Sequence, residues 1–238
     1  MKIFLGEKSI KLSDHLVEST SENDKVIQFN SKKKLKKVLQ EFAKNEKARG
    51  LTIYSGQDKE LKSSFLSLFK IVEAAGGLVK NEKGESLFIF RRGKWDLPKG
   101  KIIVRSGTPD PPLWQIDQAF PRVTTKIKKE QSKIKEPYDK AAIREVMEET
   151  GLLNISIVRQ VGYTYHIYVQ RGKWILKPTI WFEMFAPGNQ PLIPEEKEDI
   201  SEVRWFNRKE LPIINGNTYA TIRELLLIAV PPIDPPGI

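Results

Sequence analysis

The sequence predicts an α/β fold, a mixed sheet between helices, preceded by a smaller α/β unit. Three observations predict it. Strand-like and helix-like runs alternate along the chain. Leu87-Phe88-Ile89-Phe90 is apolar at successive positions, as a central strand covered on both faces must be. Residues 138–150 are two-sided: Ala142, Ile143, Val146 and Met147 face a core, while Glu145, Glu148 and Glu149, at i, i+3 and i+4, share the other side.

Residues 1–69 form the small unit. Strands are expected at 2–5, 9–12 and 26–29. Ser31 N-caps a helix to about Lys47, with Leu35, Val38, Leu39 and Phe42 at helical spacing, and Gly50 ends it. A strand at 51–54 and a helix at 58–68 follow. With no catalytic constellation, this unit reads as a scaffold, a homodimerisation element or a substrate gate. Residues 70–230 form the main domain. Strands are expected at 71–79 and 86–92, then the helix 138–150, which Gly151 stops as its C′ residue. A strand pair at 155–168 and 177–185 is joined through Gln170-Arg171-Gly172-Lys173. A last strand at 202–206 and a closing helix at 217–229 complete it. The prolines of 231–238 rule out a helix there and leave a flexible tail.

Composition excludes several classes. No apolar run approaches 18 residues, so no membrane span is expected, and Met1-Lys2-Ile3-Phe4-Leu5-Gly6-Glu7 is too soon charged for a signal peptide. The absence of cysteine excludes disulfides and thiolate metal sites and fits a cytoplasmic protein. The net charge of +10 is unevenly spread: +6 over residues 1–70, +2 over 71–100, +5 over 101–135 and −3 over 136–238. Basic ground upstream of an acidic cluster suits a polyphosphate bridged by cations. No nucleic-acid-binding motif accompanies the charge, so nucleic acid is not an expected partner, and the lysines of 32–37 read equally as a solvated face.

The carboxylate face carries the chemistry. Like charges on a helix face cost about 0.2–0.5 kcal/mol per pair, and near a helix C-terminus the macrodipole opposes them as well. A hard divalent cation with oxygen ligands would turn that repulsion into binding. Upstream stands Trp95-Asp-Leu-Pro-Lys-Gly100-Lys101. Together with Glu136, seven residues, then Arg144-Glu-Val-Met-Glu-Glu-Thr-Gly-Leu152, this resembles the Nudix hydrolase signature, with Gly100 as its first glycine. The departure is residues 101–135, 35 residues where the family has five.

The resemblance implies a Nudix-type α/β/α sandwich with a mixed sheet, and hydrolysis of a phosphoanhydride with Mg²⁺ or Mn²⁺. It implies Glu145, Glu148 and Glu149 as metal ligands, with Glu136 joining or bracing them and Arg144 orienting Glu148. The base is one of the ligands, or Glu198 or Asp199 on the loop before the last strand. Substrate contacts are expected from one of Arg91 and Arg92, the other facing solvent, from Lys99 and Lys101, and from Gly77, whose bare backbone either permits close approach or marks a bulge. The expected substrate is a small polyphosphate, nucleoside-diphosphate-linked or a dinucleoside polyphosphate. Lys177-Pro-Thr-Ile-Trp-Phe-Glu-Met resembles a strand of the diadenosine- and diphosphoinositol-polyphosphate branches, so a diphosphoinositol-polyphosphate hydrolase is one alternative. A non-hydrolytic nucleotide sensor is another, although such sensors often lose signature carboxylates and none is lost here.

The insert reads as a mobile excursion, a lid closing Trp114 and Phe120 over substrate, or an interface. Shortening 102–131 is expected to leave folding and metal binding intact. His15 and His166 are isolated and read as packed or surface residues.

Overall fold

The computed structural model describes residues 1–17, 21–106 and 133–229. Two compact units emerge, and neither is one continuous stretch. The first contains Met1–Val72, the described ends of the insert, Val104–Ser106 and Lys133–Lys135, and Tyr165–Lys177. The second contains Glu73–Ile103, Glu136–Thr164 and the chain from Pro178 onward.

In the first unit, β1 (Lys2–Leu5) and β2 (Lys8–Ser13) form a hairpin with Ile3 opposite Ile10. β4 (Gly50–Tyr54) pairs parallel with β2, and β3 (Asp24–Gln28) pairs parallel with β4. Parallel pairing needs crossovers, and α1 (Lys32–Lys44) supplies the one from β3 to β4. Its buried Leu35, Val38, Leu39 and Phe42 share a core with Ile3, Ile10, Leu51 and Ile53, and with Leu61 and Phe65 of α2 (Asp58–Leu66). α1 ends at Lys44, short of the predicted Lys47. The Lys8 ammonium takes the carbonyls of Phe42, Ala43 and Asn45 at 3.0, 3.0 and 2.8 Å, and Gly50 opens β4 rather than capping the helix.

Two long strands, β12 (Ser156–Gln170) and β13 (Lys173–Phe185), contribute their turn-proximal ends to this unit. Arg171 and Gly172, at φ 49° and 71°, make the two-residue turn between them. β1 pairs parallel with β12, placing His166 opposite Phe4 in the ladder, and β5 (Lys70–Ile71) pairs with β13.

In the second unit the strand order is β14 (Ile200–Phe206), β7 (Ser86–Arg91), β6 (Ala74–Lys80), β13. β6 runs parallel to β13, and the other pairings are antiparallel, so the sheet is mixed. β8 (Lys94–Asp96) adds to β7 and β9 (Lys99–Lys101) to β6. Leu87, Phe88 and Ile89 are all fully buried, as an apolar central strand requires. Helix α3 (Tyr138–Thr150) lies against one face, where a Cβ on Gly77 would stand 2.8 Å from Val146 Cγ2 and 2.7 Å from Met184 Sδ. The next residue, Leu78, points the other way, into a cluster with Phe88, Trp95, Phe206 and the α5 (Ala220–Ala229) residues Ile222, Leu225 and Leu226. Helices on both faces make the α/β/α sandwich. Gly77 faces α3, where any side chain would meet Val146 and Met184.

Other boundaries differ from expectation. The predicted strand 71–79 is broken between β5 and β6. The closing helix starts at Ala220, because Asn217 and Thr218 bond to the backbone of Gly93 and Trp95 instead, and a short α4 (Leu211–Gly216) precedes it. Among the described residues, no helix is long and apolar enough to cross a membrane.

The ends of the insert are built in. β10 (Val104–Ser106) and β11 (Lys133–Lys135) pair antiparallel, with Ser106 opposite Lys133. Buried Ile102 donates its N–H to Glu73, so a cut beginning at residue 102 would remove native structure. Leu113, Trp114, Ile116, Phe120 and the tail beyond Ala229 lie outside the described residues. Replacing 107–132 by Asn-Gly, which suits a two-residue hairpin turn, keeps β10, β11 and the Ile102 bond and should be the less damaging of two deletions. Deleting 102–131 should lower the Tm measurably, and equal behaviour of the two deletions would contradict this placement.

Candidate active site

The site grows from α3 and the strand opposite it. Pro137 fixes the helix start, and Glu136 immediately before it exchanges backbone and side-chain bonds with Ile103: Glu136 N–H to the Ile103 carbonyl at 2.9 Å, and Ile103 N–H to Glu136 Oε2 at 3.2 Å. Two turns later the Arg144 guanidinium reaches back. Its Nε and Nη2 form a fork on the two oxygens of Glu136, both at 2.9 Å. Nη1 donates to Glu145 at 2.7 Å and Glu148 at 2.8 Å, and Nη2 also reaches the Lys101 carbonyl at 3.1 Å. One planar cation thus gathers three carboxylates, and their bonds and charges hold it more firmly protonated than usual.

Gly100 makes room for this. A Cβ there would fall 1.8–2.3 Å from the Glu145 carboxylate. Gly100→Ala must push Glu145 off its bond to Arg144. The expected result is a kcat loss of up to about 10²-fold, the scale of a 1 Å misplacement, with the Tm nearly unchanged. Unaltered turnover would remove Glu145 from the working site.

The remaining signature carboxylate is held differently. The Glu149 side chain is only 2% exposed. It accepts the Lys99 backbone N–H at 2.8 Å and Arg91 Nη1 at 3.3 Å. Arg91 in turn makes two bonds to Asp96 Oδ2, at 3.0 and 2.9 Å, and the Lys99 ammonium also sits on Asp96. Burial pushes the Glu149 carboxyl up to about 7. Burial would raise Asp96 too, but the adjacent Lys99 and Arg91 charges outweigh it and hold Asp96 below its ordinary value. Burial depresses Lys99 as well.

The side chains of Arg91 and Lys99, expected to meet substrate, are therefore turned onto Asp96, and Arg91 also onto Glu149. Two buried acids demand these cations for their own neutralisation. Arg92, at φ 52°, is exposed and bonds Asp199 at 3.3 Å. Glu198 lies in an exposed 3₁₀ turn, Glu196–Glu198. Among the described residues, no hydrogen bond joins Glu198 or Asp199 to the Arg144 group. Lys101 keeps an exposed side chain. Asp96 is the residue that sequence reasoning missed. Its signal was an acid placed between Trp95 and Leu97 in an apolar run, with Lys99 three residues on.

The site is thus a carboxylate-bearing helix on a sandwiched mixed sheet, three of its acids gathered by one arginine. The model of the NUDIX domain matches residues 70–226, and the chain belongs to the Nudix family. Solved structures of similar fold include a MutT protein from Methanosarcina mazei Go1 (22% identity, 66% of this chain and 91% of that one, TM-score 0.42). Others are a C. elegans Ap4A hydrolase in a binary complex (20%, 65% and 92%, 0.41) and a MutT NUDIX hydrolase from Burkholderia pseudomallei (21%, 66% and 96%, 0.39). No curated protein matches the sequence.

Proposed function

We propose that the enzyme hydrolyses a small polyphosphate, nucleoside-diphosphate-linked or a dinucleoside polyphosphate, with Mg²⁺ or Mn²⁺. The observation that carries this is the convergence of Glu145 and Glu148 on one nitrogen of Arg144. As they stand, no three carboxylates among the described residues are close enough to hold one ion. The converging pair offers the hard oxygen donors such a cation prefers, so the donor set fits it. Glu145 and Glu148 would hold the ion, with Glu149 below them on the same face. When bound, the ion supplies charge neutralisation for the phosphates and a lowered pKa for the attacking water.

The chain's own residues do the rest. Arg144 fixes the direction of both carboxylates, and Glu136 fixes Arg144. Asp96, Arg91 and Lys99 lock Glu149. Exposed Lys101 and Arg92 remain for the phosphates. A panel of dinucleoside polyphosphates, nucleoside triphosphates, nucleotide sugars and diphosphoinositol polyphosphates, with capped RNA and non-phosphate esters beside them, tests this, each assayed with Mg²⁺ and after chelation. Turnover should centre on the first class or on nucleotide sugars and vanish with chelator. Full turnover by chelated protein would refute the metal, and turnover confined to capped RNA or non-phosphate esters would refute the substrate.

A further inference from the structure

We propose that the N-terminal unit carries a binding surface for single-stranded nucleic acid, made by the lysine face of α1 and the Phe69–Trp174 ring pair beside it. The inference stands apart from the hydrolase site and uses none of its residues.

It begins with α1 itself. Lys32, Lys33, Lys34, Lys36 and Lys37 fill five of its first six positions, and all are exposed. The first turn has no acid, so these charges sit against the positive end of the helix dipole, where cations are disfavoured. Among the described residues only Lys37 of the five is drawn to a carboxylate, Glu41 at 3.9 Å. Charge placed against the dipole and left unneutralised is complementary to an anion.

A second feature shows what kind of anion. Lys36, Leu39 and Gln40 line a small pocket with Leu68, Phe69 and Trp174. The two rings meet edge to face, 6.0 Å apart at 61°, and both are partly exposed. The pocket's volume is about 30 Å³, room for only a couple of waters and too small to admit a base, which would have to stack on the exposed part of a ring. Lysines for phosphates beside aromatic faces for bases is how single strands are held without sequence preference. The turn next to Trp174 adds exposed Arg171 and Lys173, with Arg171 in a left-handed conformation that glycine or asparagine adopts more readily.

A bare polyanion would explain the lysines but not the rings. An anionic membrane fits less well, because the apolar side of α1, Leu35, Val38, Leu39 and Phe42, is committed to the core and has nothing to insert. A duplex would keep its bases stacked out of reach.

Fluorescence anisotropy of the full-length protein with a labelled oligouridylate of about twenty nucleotides tests the proposal. The combined variant Lys33→Gln, Lys36→Gln, Lys37→Gln should weaken binding at least about tenfold. It should also flatten the salt dependence, by about 0.7 in log–log slope for each phosphate no longer neutralised. Trp174→Leu should weaken binding about tenfold, while Trp174→Phe should change it little. Should Trp174→Leu not fold, the tryptophan emission decides: oligouridylate should quench it in the wild type and quench it less in Trp174→Phe. Turnover of small nucleotides should be the same in the lysine variant, which separates this result from the fate of the hydrolase reading. No binding at low salt would overturn the proposal. So would equal affinity for inorganic polyphosphate, tighter binding to phosphatidylserine vesicles, or insensitivity to both the lysine and the Trp174 changes.

Discussion

Glu148→Gln should lower kcat by roughly 10²–10³-fold, the scale seen when one charge-stabilising group is removed from an active site, while the Tm stays within a degree or two. The two halves of this expectation come from different observations. Glu148 is 51% exposed, and its contact with Arg144 is one of several that guanidinium makes, so the fold loses little. Removing one of three like charges near a helix C-terminus also relieves repulsion. The catalytic cost is separate: the amide keeps the shape but loses one of the two anionic groups proposed to hold the cation. Glu145→Gln should behave the same way. Steady-state kinetics with Mg²⁺ titration and a thermal melt on the same samples check both halves. An unchanged rate at unchanged metal affinity would move the site elsewhere.

Asp96→Asn should destabilise the second unit by about 3–5 kcal/mol, the cost of removing one partner from a buried ion pair. Asp96 is 1% exposed and neutralises Lys99 and Arg91 together. Without it, two cations share the single carboxylate Glu149. Denaturant unfolding of wild type and variant measures this, and a loss below about 1 kcal/mol would show that the cluster is solvated.

The pH dependence gives a second check, with opposite signs for the two acids. Asp96 has a depressed pKa in the folded state, so its contribution is full above the unfolded value near 3.9 and is lost as pH falls through the folded one. Glu149 is raised to about 7, so its contribution is full below the unfolded value near 4.3 and is lost as pH rises through about 7. Stability of the metal-free protein should therefore decline between about pH 4 and 7 and level off above, and Glu149→Gln should flatten that slope. Parallel slopes would mean that Glu149 is ionised throughout.

Elements whose cause is local were legible. Helix 138–150 has the bounds its sequence predicts, because the apolar face repeats within it and Gly151 takes the left-handed stop at φ 78°. The turn at Arg171-Gly172 and the buried face of α1 were legible for the same reason: their determinants lie within a few residues of one another. The end of α1 was not, since Lys8, more than thirty residues upstream, takes its last carbonyls. Strand 71–79 was read as continuous because its composition is uniform, and the break at Val72-Glu73 depends on pairing with β13.

The site divides along the same line. By itself the sequence determined that Glu145, Glu148 and Glu149 share a helix face and that Arg144 reaches Glu148, because helical geometry is periodic and short-ranged. Only the tertiary structure decided which of these acids is exposed and which is buried, that Gly77 serves packing with Val146, and that Arg91 and Lys99 turn inward to Asp96. Those outcomes depend on groups far apart in the chain. A charge removed from water must find its partner wherever the fold places one, and no local spacing records that search.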